Sequence, residues 1–325
     1  MTLLPLAAYA VALLVLLPRL LSADWTRRAP RVSAALWIAG EIAAIVTVTV
    51  LILGIVVPLL SVGHALLALV DFCQSAWQQI PHRLRSHVPD AISGALIALV
   101  LVRVSVALAR VVVPQRRRRR QLRASVQAAG RPNGAGLTLV EMDEPAAWCI
   151  PGRRSSVCVT SGAMAVLSAQ EAHAVVQHER AHLRARHHLL VTLVDVFDHA
   201  FPRVPLFREA RHEMRRLVEM MADDSAARIA GRPVVARALV HLAGQMGPDA
   251  GLAAGGSTSA ERAWRLIAGR PPLSRLRRRL LVGLASALLL APIGLVAAPA
   301  LADPSRHCEE PPPSAVALSQ VGVPR

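Results

Sequence analysis

Residues 35–60 run for twenty-six positions with a single ionisable side chain, Glu41. A helix of that length measures about 39 Å, more than the roughly 30 Å of hydrocarbon in a bilayer. Residues 2–21, 91–113 and 280–302 are three further runs of the same kind. Together with 54% hydrophobic residues and a positive mean hydropathy, they exclude an ordinary soluble protein. The expected fold class is an α-helical membrane protein with four transmembrane helices, at about 2–21, 35–60, 91–113 and 280–302.

The first run lacks the basic start and small-residue cleavage site of a signal peptide, and a second run follows closely, so it reads as an uncleaved span. Between the second and third runs, residues 61–90 carry Leu66, Leu67, Leu69, Phe72 and Trp77 before Pro81. That composition suits a segment on the membrane surface or one packed against the spans. Intramembrane charges are usually paired, so Glu41 with Arg103 or Arg110 is an expected contact between spans.

The chain has no lysine, and its formal charge of +16 comes from arginine. Arg27, Arg28 and Arg31 follow the first run, Arg116–Arg120 and Arg123 follow the third, and Arg275 and Arg277–Arg279 precede the fourth. Basic blocks abutting spans mark cytoplasmic loops, which explains them without nucleic-acid binding. Membrane lipid is therefore the expected partner of these clusters. The rule puts residues 114–279 in the cytoplasm as a separate domain. It puts the N-terminus, the segment 61–90 and a short Pro-rich tail, 303–325, outside. Ala300-Leu301-Ala302 also reads as a cleavage site after a membrane helix. Cys73 and Cys308 then fall outside, where pairing is chemically open, and Cys149 and Cys158 fall in the reducing cytoplasm.

Within the cytoplasmic stretch, residues 137–142, 146–150 and 156–160 read as short strands, with Pro151-Gly152 as turn chemistry between the last two. The expectation is an α+β domain with a small antiparallel sheet. Its exposed edge, Ala146, Ala147, Trp148, Cys149 and Ile150, is suited to holding a peptide in extended form. Ser168 with Glu171 forms a capping-box signal for a helix running to about 195. A second helix is expected over about 206–230, and a third to about 244.

The first of these helices carries His178-Glu179-Arg180-Ala181-His182. Residues four apart share a helix face, so both imidazoles project together with Glu179 beside them. Two imidazoles, a third ligand and an open position are what a catalytic zinc ion requires, and Glu179 is placed to act as general acid and base. The same string would also suit a surface helix rich in His and Arg. What favours the metal is Glu219-Met220-Met221-Ala222-Asp223 downstream. There Glu219 supplies the third ligand, and Asp223 the outer carboxylate that orients a ligand histidine. One zinc ion per chain is the expected cofactor. His173, His187, His188, His199 and His212 lack such a pattern and read as surface or outer groups.

Trp148-Cys149-Ile150-Pro151-Gly152-Arg153, Val159-Thr160-Ser161-Gly162, His178-Glu179-Arg180-Ala181-His182 through His187, and Glu219-Met220-Met221-Ala222-Asp223 resemble the BlaR/MecR-type membrane zinc metallopeptidases over about residues 130–270. The resemblance implies a gluzincin-like fold, zinc on His178, His182 and Glu219, and Glu179 as catalytic residue. It also implies signal transduction by cleavage of a cytoplasmic BlaI/MecI-like transcriptional repressor. Only a short tail follows the fourth run, so the C-terminal penicillin-binding sensor of those proteins has no counterpart. HtpX-type quality-control proteases share the zinc motif and are the competing expectation, with a non-catalytic zinc-stabilised scaffold behind them. The residues leave the oligomeric state open.

Overall fold

The computed structural model describes residues 3–69, 82–133, 136–153, 155–245, 259–269 and 273–301. Four of its helices are long and apolar enough to cross a membrane. Helix α1 (Leu3–Leu21) contains a π-helical stretch at Ala12–Leu16. Pro18, which has no N–H to donate back along the helix, lies just beyond and accounts for the local change of register. Helix α2 spans Pro30–Leu69 and α3 spans His82–Ala129. Residues 61–69 thus continue α2, and 82–90 belong to α3. Residues 70–81, including Cys73, lie outside the described residues, as does the tail with Cys308. The arginine block 116–120 is not a loop but the helical continuation of the third span.

A four-stranded sheet follows, with β1 at Gly130–Pro132, β2 at Leu137–Val140, β3 at Ala147–Ile150 and β4 at Ser156–Thr160. Its order is β1-β2-β4-β3, and it is mixed rather than antiparallel, because β4 inserts between β2 and β3 and runs parallel to β2. The hairpin of β3 with β4 is antiparallel, as its turn chemistry suggests. What local chemistry does not encode is which other strand β4 lies beside. Among the described residues β3 has a neighbour on one side only.

Thr160 caps α4 (Ser161–Val166) by accepting from the Ala163 N–H at 3.0 Å. Gly162 sits there because a Cβ would collide with the Asp143 carbonyl, so the loop leading into β3 is pressed against the helix start. Ser168 and Glu171 form the expected capping box for α5 (Ala169–Arg184). The helix expected to run to about 195 instead breaks at Arg186, whose φ of 50° is left-handed, and α6 (His187–Ala200) restarts at a new angle. Helix α7 (Pro205–Ala230) begins with its proline in the first turn and ends at Gly231, where φ is +88°. Helices α8 (Arg232–Gln245), α9 (Ser259–Ile267) and α10 (Arg275–Leu301) follow among the described residues, the last being the fourth apolar helix.

The α6–α7 hairpin is seated among the spans. Leu206, Met214, Leu217, Val218 and Met221 of α7 share one buried cluster with Leu13 and Leu17 of α1 and Leu36, Trp37 and Ala44 of α2. On the other side, Val196 and Ala200 of α6 pack on Ala107 and Val111 of α3. Arg103 donates from Nε to the Ala200 carbonyl at the hairpin's tip. Ten residues separate Arg103 from Val113, so the tip lies about 15 Å along the third span. The expected pairing of Glu41 with Arg103 or Arg110 is not found. Arg103 is committed to a backbone carbonyl, and both Glu41 carboxylate oxygens are buried without a hydrogen-bond partner among the described residues.

Candidate metal centre

Helices α5 and α7 pack side by side, and their facing stripes bring the motif residues together. His178 Nε2 lies 3.1 Å from His182 Nε2. The two oxygens of Glu219 approach one imidazole each, at 3.4 Å from His178 Nε2 and 3.5 Å from His182 Nε2. Zinc bonds of 2.0–2.2 Å at tetrahedral angles put neighbouring donors about 3.3 Å apart, so these separations fit such an ion. The three side chains form the metal-compatible group found among the described residues.

The far side of each imidazole is also occupied. Asp223, fully buried, holds His178 Nδ1 at 3.0 Å. His187 Nδ1 lies 3.0 Å from His182 Nδ1. An Nδ1–H donated outward leaves the Nε2 lone pair facing the centre, which is the tautomer a metal needs. Of the two places expected for His187, surface or outer group, the break at Arg186 gives it the second by turning it inward until it is 3% exposed.

Arg262 of α9 completes the cluster, and no sequence signal pointed to it. Its Nε and Nη2 donate to Asp223 at 2.8 and 2.6 Å, and Nη1 lies 3.0 Å from Glu219 Oε2. Two carboxylates held ionised, Glu219 and Asp223, face one permanent cation, with the Glu179 carboxyl beside them. An acidic excess of that kind suits a bound cation.

Without an ion, the proton takes its place. Burial alone would lower His178, but its hydrogen bonds to Asp223 and Glu219 outweigh burial and raise it to about 10. Burial lowers His182 and His187 to about 4, so both are neutral. Burial opposes ionisation of Glu219, yet the His178 hydrogen bond and Arg262 prevail and hold it at about 2. Glu179 goes the other way. Burial, followed by the repulsion of Glu219, raises it.

The centre opens into a cleft of about 740 Å³. Residues 145–151 form one wall, so Ala146, Ala147, Trp148, Cys149 and Ile150 all line it. Ala146 itself precedes the strand and is pinned by Thr160, whose Oγ1 accepts the Ala146 N–H at 2.9 Å. Strand alternation sends Ala147 and Cys149 toward α5 and Trp148 and Ile150 toward Val126 of α3. The Cys149 thiol consequently lies against Glu179, and burial together with that carboxylate raises its pKa, so it stays protonated. His173, His199 and His212 are not among the residues lining the cleft, whereas His187 and His188 are.

A model of peptidase family M48 matches residues 113–201. The match covers the arginine-bearing end of α3, the sheet and the helices through α6, with His178 and His182 inside it and Glu219, Asp223 and Arg262 beyond it. It supports a metallopeptidase, and with the four apolar helices a membrane-type one. The match does not reach the finer BlaR/MecR type that the motifs resemble. No curated protein and no solved structure matches the chain.

Proposed function

We propose that this chain is a membrane-bound zinc metalloendopeptidase. The observation that carries the reading is the meeting of His178, His182 and Glu219 at metal-ligand separations, beside Glu179, in a cleft bordered by a strand edge that is unpaired among the described residues.

His178, His182 and Glu219 would hold the ion, which when bound supplies Lewis acidity toward water and a peptide carbonyl. Glu179 accepts the proton of the attacking water and delivers it to the leaving amine. Its raised pKa brings it closer to the working pH, where both transfers run well. Asp223 fixes the His178 tautomer, and Arg262 holds Asp223 and Glu219 in register. The substrate adds a strand to the free edge of β3, taking main-chain hydrogen bonds along Ala146–Ile150.

The basic blocks favour a cytoplasmic cleft, with both termini on the other side of the membrane. The substrate is then a cytoplasmic protein, and the motif resemblance selects a BlaI/MecI-like repressor, which makes the enzyme a step in signal transduction. An HtpX-like quality-control role, which shares the zinc motif, is the alternative. A closed structural zinc site would use four protein ligands, and this centre offers three with a base alongside.

The test uses the full-length protein purified in detergent. One zinc per chain and cleavage of a BlaI-like repressor in an extended linker are expected, with cleavage lost in Glu179→Gln. Cleavage of unfolded membrane proteins with the repressor left intact would select the quality-control role. Zinc retained with no cleavage of either substrate would mean a scaffold.

A further inference from the structure

Across the cleft from β3 stands the helical continuation of the third span. Gln115, Arg119 and Leu122 of α3 line the cleft at i, i+4 and i+7, one face of the helix. Their neighbours Arg116, Arg117, Arg118 and Arg120 are exposed, whereas Arg119 and Gln115 are half-buried. Gln115 is tied to α6 by the Thr192 hydroxyl at 3.0 Å, which anchors this face of the helix.

Two guanidinium groups line the cleft, and they differ. Arg262 is bound to Glu219 and Asp223. Arg119 has no hydrogen bond or ion pair among the described residues. Among the described residues, no acidic side chain is bound to it. The Cys149 thiol opposite is protonated, His188 beside it is held below its ordinary range by burial and then by Arg119 and Arg186, and Glu179 and Glu219 belong to the metal centre. A partly desolvated guanidinium without a counter-ion is poorly satisfied, and its planar fork matches a carboxylate through two parallel hydrogen bonds.

We propose that Arg119 forms a subsite for an acidic side chain of the peptide substrate. The proposal rests on the peptidase reading and narrows its substrate class. A peptide added to the edge of β3 presents alternate side chains to opposite walls, and those directed at α3 meet Arg119. Segments with Asp or Glu at that register are then preferred over their amides and over basic residues. The phosphate of an anionic lipid is the competing occupant, since Arg119 lies six residues, about 9 Å, beyond Val113 at the end of the span.

The experiment compares wild type with Arg119→Gln, Arg119→Lys and Arg119→Glu, each zinc-loaded and in uncharged detergent. The substrates are fluorogenic peptides carrying Asp, Asn or Lys at each position around the scissile bond. At one position wild type should prefer Asp over Asn by about 10- to 100-fold in kcat/KM. Arg119→Gln should lose the preference, Arg119→Lys should keep part of it, and Arg119→Glu should shift it toward Lys. Retention of the acidic preference by Arg119→Gln overturns the proposal. So does an equal loss on all peptides, which would mark a structural arginine. Adding phosphatidylglycerol nanodiscs tests the lipid. If Arg119→Gln alters only the response to that lipid, with peptide discrimination intact, the proposal falls. Peptide binding to zinc-loaded Glu179→Gln, read by fluorescence anisotropy with and without Arg119→Gln, separates the two readings. Asp-over-Asn selectivity in binding supports the subsite even if wild type cleaves none of the peptides, an outcome that would count against the peptidase alone.

Discussion

Arg211, Arg215, Glu219 and Asp223 stand four residues apart along a single stripe of α7, and the two halves of that stripe meet opposite fates. The arginine half is closed. Asp195 accepts from Arg211 Nε and Arg215 Nη2, both at 2.8 Å, and Asp198 accepts from Arg211 Nη1 at 3.1 Å. Two cations meet two anions, and nothing is left to bind. In the acidic half, Arg262 answers part of the charge, and the imidazoles opposite turn their Nε2 atoms into the gap between the helices. One helix thus carries a structural clamp and a binding centre. What separates them is whether the protein itself supplies the matching charge.

The sharpest way to break the comparison is at Glu179, which belongs to the open half yet touches no ligand position. Glu179→Gln should lower turnover by roughly 10²- to 10⁴-fold while metal content stays at one per chain. Full activity in that variant would remove the catalytic reading of the cluster.

Asp223→Asn tests the outer contact. Metal affinity should fall on the order of 10- to 100-fold, read by competition with a chromogenic chelator. An unchanged affinity would mean that Asp223 and Arg262 merely pack.

The pH dependence follows from His178. In the metal-free protein its folded value, about 10, lies above the ordinary 6.5. The stability it contributes is therefore fully present below about 6.5 and is lost as pH rises through about 10. Metal binding must expel that proton, so affinity should climb by about tenfold per pH unit across this window. A flat profile between pH 7 and 9 would show that His178 is already neutral.

The smallest effect is expected in the closed half. Asp195→Asn removes the negative charge shared by two arginines whose side chains are 41% and 40% exposed. Solvent screening limits the loss to about 1–2 kcal/mol, seen as a thermal midpoint a few degrees lower. Metal affinity should stay within about twofold. A large loss of metal would mean that the two halves are coupled through α7.

Local chemistry made much of this legible in the sequence. The spacing of His178 and His182, the Ser168 and Glu171 cap, and the Gly231 stop are short-range signals, and each marks the feature it suggests. What stayed hidden depends on the chain's return from a distance. Arg262 reaches Asp223 from 39 residues away with no motif of its own. The parallel contact of β2 with β4 is a choice among partners, not a property of either strand. The bend at Arg186 uses a left-handed arginine where glycine or asparagine would have announced it. Glu41 has an obvious charge complement in the neighbouring span, yet the hairpin tip occupies Arg103 first.

The wedging of α6 and α7 between the spans has a practical corollary. An excised fragment covering residues 114–279 would expose to water the leucines and methionines that now rest on α1 and α2, and it would clump instead of diffusing away as a working scissors. Cutting power is thereby leashed to the bilayer by the fold itself, with no tether to sever.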